Sequence, residues 1–210
     1  MGARRSPPRP PPSIDKGGVA AAVGGAGVLS ATWMVAARPG RLPAWEERAF
    51  RRVNDLPDGA WPVVWVPMQL GNVLGSLGVV ALTWRMSRDR RLRTAALAAS
   101  QGAWWTGKVV KALVSRERPA ALLSDVRVRE AARGLGYLSG HAAVAFSLAS
   151  AVAPSMPSRW RPVPYAAAVA VAFGRVYAGA HLPVDVIGGA GLGIVSGTSA
   201  RWFAGTTCRH

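Results

Sequence analysis

Residues 175–203 read RVYAGAHLPVDVIGGAGLGIVSGTSARWF. An arginine, a histidine six places on and an aspartate four beyond that run straight into an apolar, glycine-rich segment. His181 and Asp185 stand four apart, so on a helix they share a face. Pro183 suits a first helical turn, which sets Asp185 close behind the histidine. The run from Pro183 to Phe203 has the length of a membrane span, and its glycines permit close helix approach.

The rest of the chain repeats this texture. It has 210 residues, half of them hydrophobic, with 24 glycines and 9 tryptophans. The apolar residues fall into blocks separated by arginine-rich stretches, which is the membrane pattern. Gly17–Ala37 reads as a retained first span rather than a cleaved signal peptide. Trp61–Trp84 is the second span, with a tryptophan anchor at each end. Thr94–Val114, His141–Ala153, Pro162–Tyr177 and Pro183–Phe203 complete six. The expected fold is an all-α integral membrane protein: a six-helix bundle over 17–205. A basic, proline-rich disordered tail (1–16) precedes it and a short tail (206–210) follows. Pro43–Asp58 is amphipathic, with Trp45, Phe50, Val53 and Leu56 set against Glu46, Glu47, Arg48, Arg51 and Arg52. It reads either as a helix in the membrane interface or as an ordinary surface helix.

The formal charge of +16 raises a nucleic-acid reading. No such motif is visible, and the arginines flank apolar blocks, so anionic lipid head groups are the simpler partner. Six spans put both termini, the 85–93 loop (five arginines) and the 154–162 loop on one side. The positive-inside rule makes that side cytoplasmic. Cys208 is the single cysteine, which excludes an intrachain disulfide and a cysteine-based metal site.

Two further motifs lie upstream. Lys111–Pro119 reads KALVSRERP, a lysine followed seven places later by Arg118-Pro119. Ser139-Gly140-His141 follows. In the six-span arrangement these and the 175–185 stretch all meet at the external face. His141–Ala153 would rise only about 20 Å as a helix against roughly 30 Å of hydrocarbon, which sets the site at head-group depth. Taken together the parts suit phosphoryl transfer. Lys111, Arg118 and Arg175 offset phosphate charge. Ser139-Gly140 at a helix start offers a hydroxyl and free N–H groups to an anion. His181, oriented by Asp185, attacks phosphorus, and His141 protonates the leaving oxygen. Carboxylates are few, so no metal and no cofactor is called for. Arg116, between Lys111 and Arg118, reads as a basic side chain snorkelling to the interface.

This ordered set resembles the type 2 phosphatidic acid phosphatases, or lipid phosphate phosphatases, whose core is similar to that of the vanadium haloperoxidases. The likeness covers roughly 60–200. It implies a metal-free six-helix membrane bundle with His181 as nucleophile, Asp185 as its partner and His141 as acid. It also implies phosphate binding by Lys111, Arg118, Ser139, Gly140 and Arg175. Two positions depart from the pattern: Leu138 stands where the family has proline, and Gly174 where it has serine. The expected activity is removal of the terminal phosphate of a membrane lipid at the outer leaflet of a bacterial inner membrane. Polyprenyl diphosphate and phosphatidic acid are the leading substrates, with phosphatidylglycerol phosphate also open. The rival readings are a catalytically weak lipid-phosphate-binding or structural membrane protein of the same fold, and a soluble vanadate enzyme. The sequence sets no oligomeric state.

Overall fold

The computed structural model describes residues 15–38 and 42–207, all in helices, turns and loops. Most of the expected N-terminal tail and Cys208 lie outside the described residues.

Local chemistry sets the helix boundaries. α1 (Lys16–Ala36) begins at Asp15, whose side chain accepts from the Gly18 amide at 3.1 Å. α2 spans Ala44–Asn54 and α3 spans Trp61–Met68. α4 (Val73–Met86) is capped by Asn72, which accepts from the Gly75 amide at 2.7 Å. α5 (Arg90–Val114) begins at Asp89 and stops at Ser115, which adopts a left-handed conformation at φ 51°. After the short α6 (Pro119–Leu122) come α7 (Gly140–Val152), α8 (Pro162–Tyr177) and α9 (Pro183–Thr207). The last runs past the 205/206 boundary expected for the membrane domain.

α9 is the central post. It packs against α7, α1 and α5, and α8 covers the other side of α7. Close approach explains its glycines. A Cβ at Gly189, Gly193 or Gly197 would run into the carbonyls of Ser139, Ala143 and Ser147 on α7. Four-residue spacing keeps this stripe on one face.

Five of the six expected spans correspond to single helices, four with one or both ends shifted and Pro162–Tyr177 with the expected ends. The second does not. The 58–71 and 73–86 segments meet at a 65° bend. Asn72 starts a new helix there, and at Gly71 the chain lies so close to α7 that a Cβ would be 2.7 Å from the His141 carbonyl oxygen. Among the described helices α1 alone is long and apolar enough to cross a membrane unaided; the bent pair passes when taken together. Val23, Val63, Leu74, Trp105 and Leu113 stand exposed on the outer faces of α1, α3, α4 and α5. Such a surface suits hydrocarbon better than water.

Candidate active site

The site forms where the C-terminal ends of α5 and α8 meet the N-terminal ends of α7 and α9. Ser139 caps α7, and its backbone N–H donates to the Asp185 carbonyl at 2.9 Å, which fastens the second motif to the third. Just ahead of it Tyr137 is fully buried and its hydroxyl meets that of Thr32 at 3.0 Å, tying the segment to α1. Leu138 is fully buried too and packs beside Gly107 of α5.

The α8–α9 turn presents His181. Gly179 takes φ 73°, and a Cβ there would lie 2.5 Å from the Arg127 carbonyl oxygen, so glycine is required. The amides of Ala180 and His181 then both donate to the Arg175 carbonyl, at 3.1 and 3.2 Å. A Cβ at Gly174 would lie 3.2 Å from Val64 and 3.4 Å from Met68, so this position faces α3.

Two of the cations brace the walls. Lys111 Nζ donates to the carbonyls of Leu135 (3.0 Å) and Gly136 (3.3 Å). Arg118 donates through Nε to Gly134 (2.8 Å), through Nη2 to Arg133 (2.8 Å) and through Nη1 to Ala180 (2.6 Å). It thereby ties the 133–136 loop to the histidine turn. Arg175 pairs with Glu130 at 2.6 Å through Nη1, while its Nε is buried without an acceptor among the described residues.

Lys111, Arg175 and Arg118 all act electrostatically on both His181 and His141, so the three motifs lie near one another. His181 is almost wholly buried. Burial first, then the charges of Lys111, Arg175 and Arg118, hold its imidazole well below the usual histidine range and keep it uncharged at neutral pH. An uncharged imidazole is what a nitrogen nucleophile requires. Its Nδ1 lies 3.7 Å from Asp185 Oδ2. Asp185 is fully buried and accepts from the Leu182 amide (2.8 Å) and from Arg116 Nη1 (2.9 Å). Among the described residues no three His, Cys, Asp or Glu side chains gather as a cation cage.

Two residues take places the sequence did not suggest. Arg116 does not snorkel. It is buried between Asp185 and Glu46, with Nη2 of the guanidinium 2.7 Å from Glu46 Oε2. Glu46, expected on the polar face of an interfacial or surface helix, is fully buried. Glu46, Phe50 and Asn54 are buried at four-residue spacing on α2, so the inward stripe runs through the acid while Trp45 stands exposed. That i, i+4, i+8 register was the available signal; hydrophobicity alone placed Glu46 outside.

Residues 93–207 match the PAP2 superfamily. No curated protein matches the chain. Among solved structures, LpxE of Aquifex aeolicus is 22% identical with a TM-score of 0.70, over 75% of this chain and 95% of that one. A transmembrane PAP2-type phosphatidylglycerolphosphate phosphatase from Bacillus subtilis is 19% identical with a TM-score of 0.65, over 91% of this chain and 98% of that one. These likenesses show a shared fold. The family match takes in all three motifs and more than half of the chain, and the protein belongs to the PAP2 superfamily.

Proposed function

We propose that this protein is a membrane lipid phosphate phosphatase that removes a terminal phosphate through a phosphohistidine intermediate. The observation that carries the reading is a buried His181 under the charge of Lys111, Arg175 and Arg118, beside an Arg175 whose Nε–H is buried and finds no acceptor among the described residues. A buried donor of this kind calls for an anionic acceptor, and a phosphoryl oxygen supplies one.

The imidazole Nε2 attacks phosphorus, forming a P–N bond as the P–O bond to the lipid breaks. His141, protonated once the negative phosphoryl group offsets Lys111, Arg118 and Arg175, gives its proton to the departing lipid oxygen. Water then attacks phosphorus, His141 takes the proton from it, and cleavage of the P–N bond releases inorganic phosphate and restores His181. Lys111, Arg118, Arg175 and the Ser139-Gly140 turn hold the phosphoryl oxygens and stabilise the charge in the transition state.

The helices are read as six spans, with α3 and α4 as one broken span and the site at the external face of a bacterial cytoplasmic membrane. The arginines at the opposite helix ends support that orientation. A lipid tail has a place to go: an apolar cavity of about 630 Å³ between α4, α7 and α8 is lined by Leu70, Ala145, Leu148 and Val171. Ala145 is one helical turn from His141. Polyprenyl diphosphate and phosphatidic acid lead as substrates. The likeness to the Bacillus subtilis phosphatidylglycerolphosphate phosphatase keeps phosphatidylglycerol phosphate beside them.

The test is phosphate release by detergent-purified protein in excess EDTA from each of the three lipids, beside His181→Ala. Release that persists in EDTA and disappears in the variant supports the histidine mechanism, and the fastest lipid names the substrate. Release that requires a metal sinks the mechanism. Tight lipid binding without release leaves a lipid-phosphate-binding protein of the same fold.

A further inference from the structure

Behind Asp185 lies a second layer of charge that the phosphoryl-transfer scheme does not use. Arg116 Nη1 donates to Asp185 Oδ1 at 2.9 Å and to Glu46 Oε1 at 3.1 Å, and Nη2 donates to Glu46 Oε2 at 2.7 Å. Glu46 Oε1 also accepts from the Val184 amide at 3.0 Å, and Asp185 Oδ2 accepts from the Leu182 amide at 2.8 Å. The two carboxylates therefore hold the backbone N–H groups on either side of Pro183, at the start of α9, and share one guanidinium between them. Both acids are fully buried and the Arg116 side chain is 7% exposed.

Burying such a trio gains little stability, because desolvation offsets the attraction between the charges. Buried ionic groups directly behind a reacting residue point to a role in its chemistry. The geometry points to Glu46, acting through Arg116, as a positioning residue for the Asp185–His181 pair. This rests on the reading of His181 as nucleophile.

The physical reason is charge. Arg116 facing Asp185 alone would make a neutral pair, and the aspartate would have little field left for the imidazole. With Glu46 the trio carries one net negative charge. That charge stabilises the positive charge that grows on His181 as it attacks phosphorus. Glu46 holds the guanidinium as a two-point fork, and Arg116 Nη1 on Oδ1 together with the Leu182 amide on Oδ2 then fixes the plane of the Asp185 carboxylate, with Oδ2 the oxygen turned toward His181 Nδ1. A lysine could not do this, since a point charge cannot bridge two carboxylates in a fixed plane.

The test is Glu46→Gln, which keeps the shape and an acceptor oxygen for Val184 but removes the charge. We expect kcat to fall roughly ten- to hundredfold, the usual cost of an outer-layer orienting partner, with KM unchanged because Lys111, Arg118 and Arg175 are untouched. Glu46→Asp restores the charge and should recover part of the loss. Glu47→Gln, one residue on and paired at the surface with Arg51, is the control with wild-type kcat. A wild-type kcat in natively melting Glu46→Gln would overturn the inference. Should that variant fail to fold, Glu46→Asp and Arg116→Lys carry the same comparison: lower kcat at constant KM supports it and wild-type kcat overturns it. Nitrogen-15 NMR of labelled histidines gives a readout free of turnover. A displaced His181 imidazole resonance in Glu46→Gln supports the assignment, and an unmoved one overturns it. Failure of the phosphatase reading itself would show separately, as absence of His181-dependent release by the wild type, and the resonance arm would still decide.

Discussion

His181 Nδ1 and Asp185 Oδ2 face each other across 3.7 Å, and the histidine nitrogen has no other partner among the described residues. That separation exceeds a hydrogen bond by less than 1 Å. Catalytic hydrogen bonds are often long before substrate binds and tighten with it. Asp185 is held from its far side by Arg116 and the Leu182 amide, so a small movement of the imidazole closes the pair. Asp185→Asn keeps the shape and removes the carboxylate. We expect kcat to fall about 10³–10⁴-fold, as in other histidine–aspartate pairs, with lipid binding retained, checked by steady-state phosphate release.

Arg175→Lys tests the buried Nε–H. Lysine keeps the charge but has no second donor along its stem. If that Nε–H holds the transferring phosphoryl group, kcat/KM should drop roughly 10²–10³-fold, and inorganic vanadate should inhibit more weakly. Unchanged inhibition would place the donor outside the phosphate site.

His181 also links stability to pH. Its folded-state pKa is driven below the ordinary value of 6.5 by burial and then by Lys111, Arg175 and Arg118. Below pH 6.5 the unfolded chain binds a proton at this position that the folded chain refuses, so unfolding is favoured there. The contribution is fully present above pH 6.5 and lost progressively as pH falls below it. The melting temperature in detergent should decline between pH 7 and pH 5, with a shallower decline in His181→Gln.

Gly179→Ala should injure both fold and activity. The residue sits at φ 73° and a Cβ would press on the Arg127 carbonyl. A left-handed alanine costs about 1–2 kcal/mol. The neighbouring amides of Ala180 and His181 fix the histidine, so kcat should fall by more than the loss of folded protein explains. Thermal melts beside turnover of the folded fraction would separate the two effects.

Gly193→Val probes the α7–α9 contact. Its Cβ would overlap the Ala143 carbonyl and lie 2.7 Å from Phe146 Cβ. Overpacking of this kind costs about 1–3 kcal/mol, seen as a lower melting temperature. Gly24→Ala is the contrast: nothing lies within 4 Å of a Cβ at Gly24, and the melt should not fall.

The sequence by itself determined the helical class and five of the six long elements. Helix start signals, apolar blocks and glycine spacing are local, and the three motifs carry their chemistry in residue type. It did not show the break at Asn72, because Trp61–Trp84 reads as one apolar run. What divides it is the Asn72 cap on α4 and the close packing of Gly71 on His141. Nor could it place Arg116 and Glu46. In hydropathy an arginine between two motif cations looks like surface, and so does a glutamate beside Trp45. Whether such a charge meets water or an opposite charge depends on which segments fold against it. α2, the α5–α6 connection and the start of α9 come together only in three dimensions, and there the exposed-looking acid and base become the buried support of Asp185.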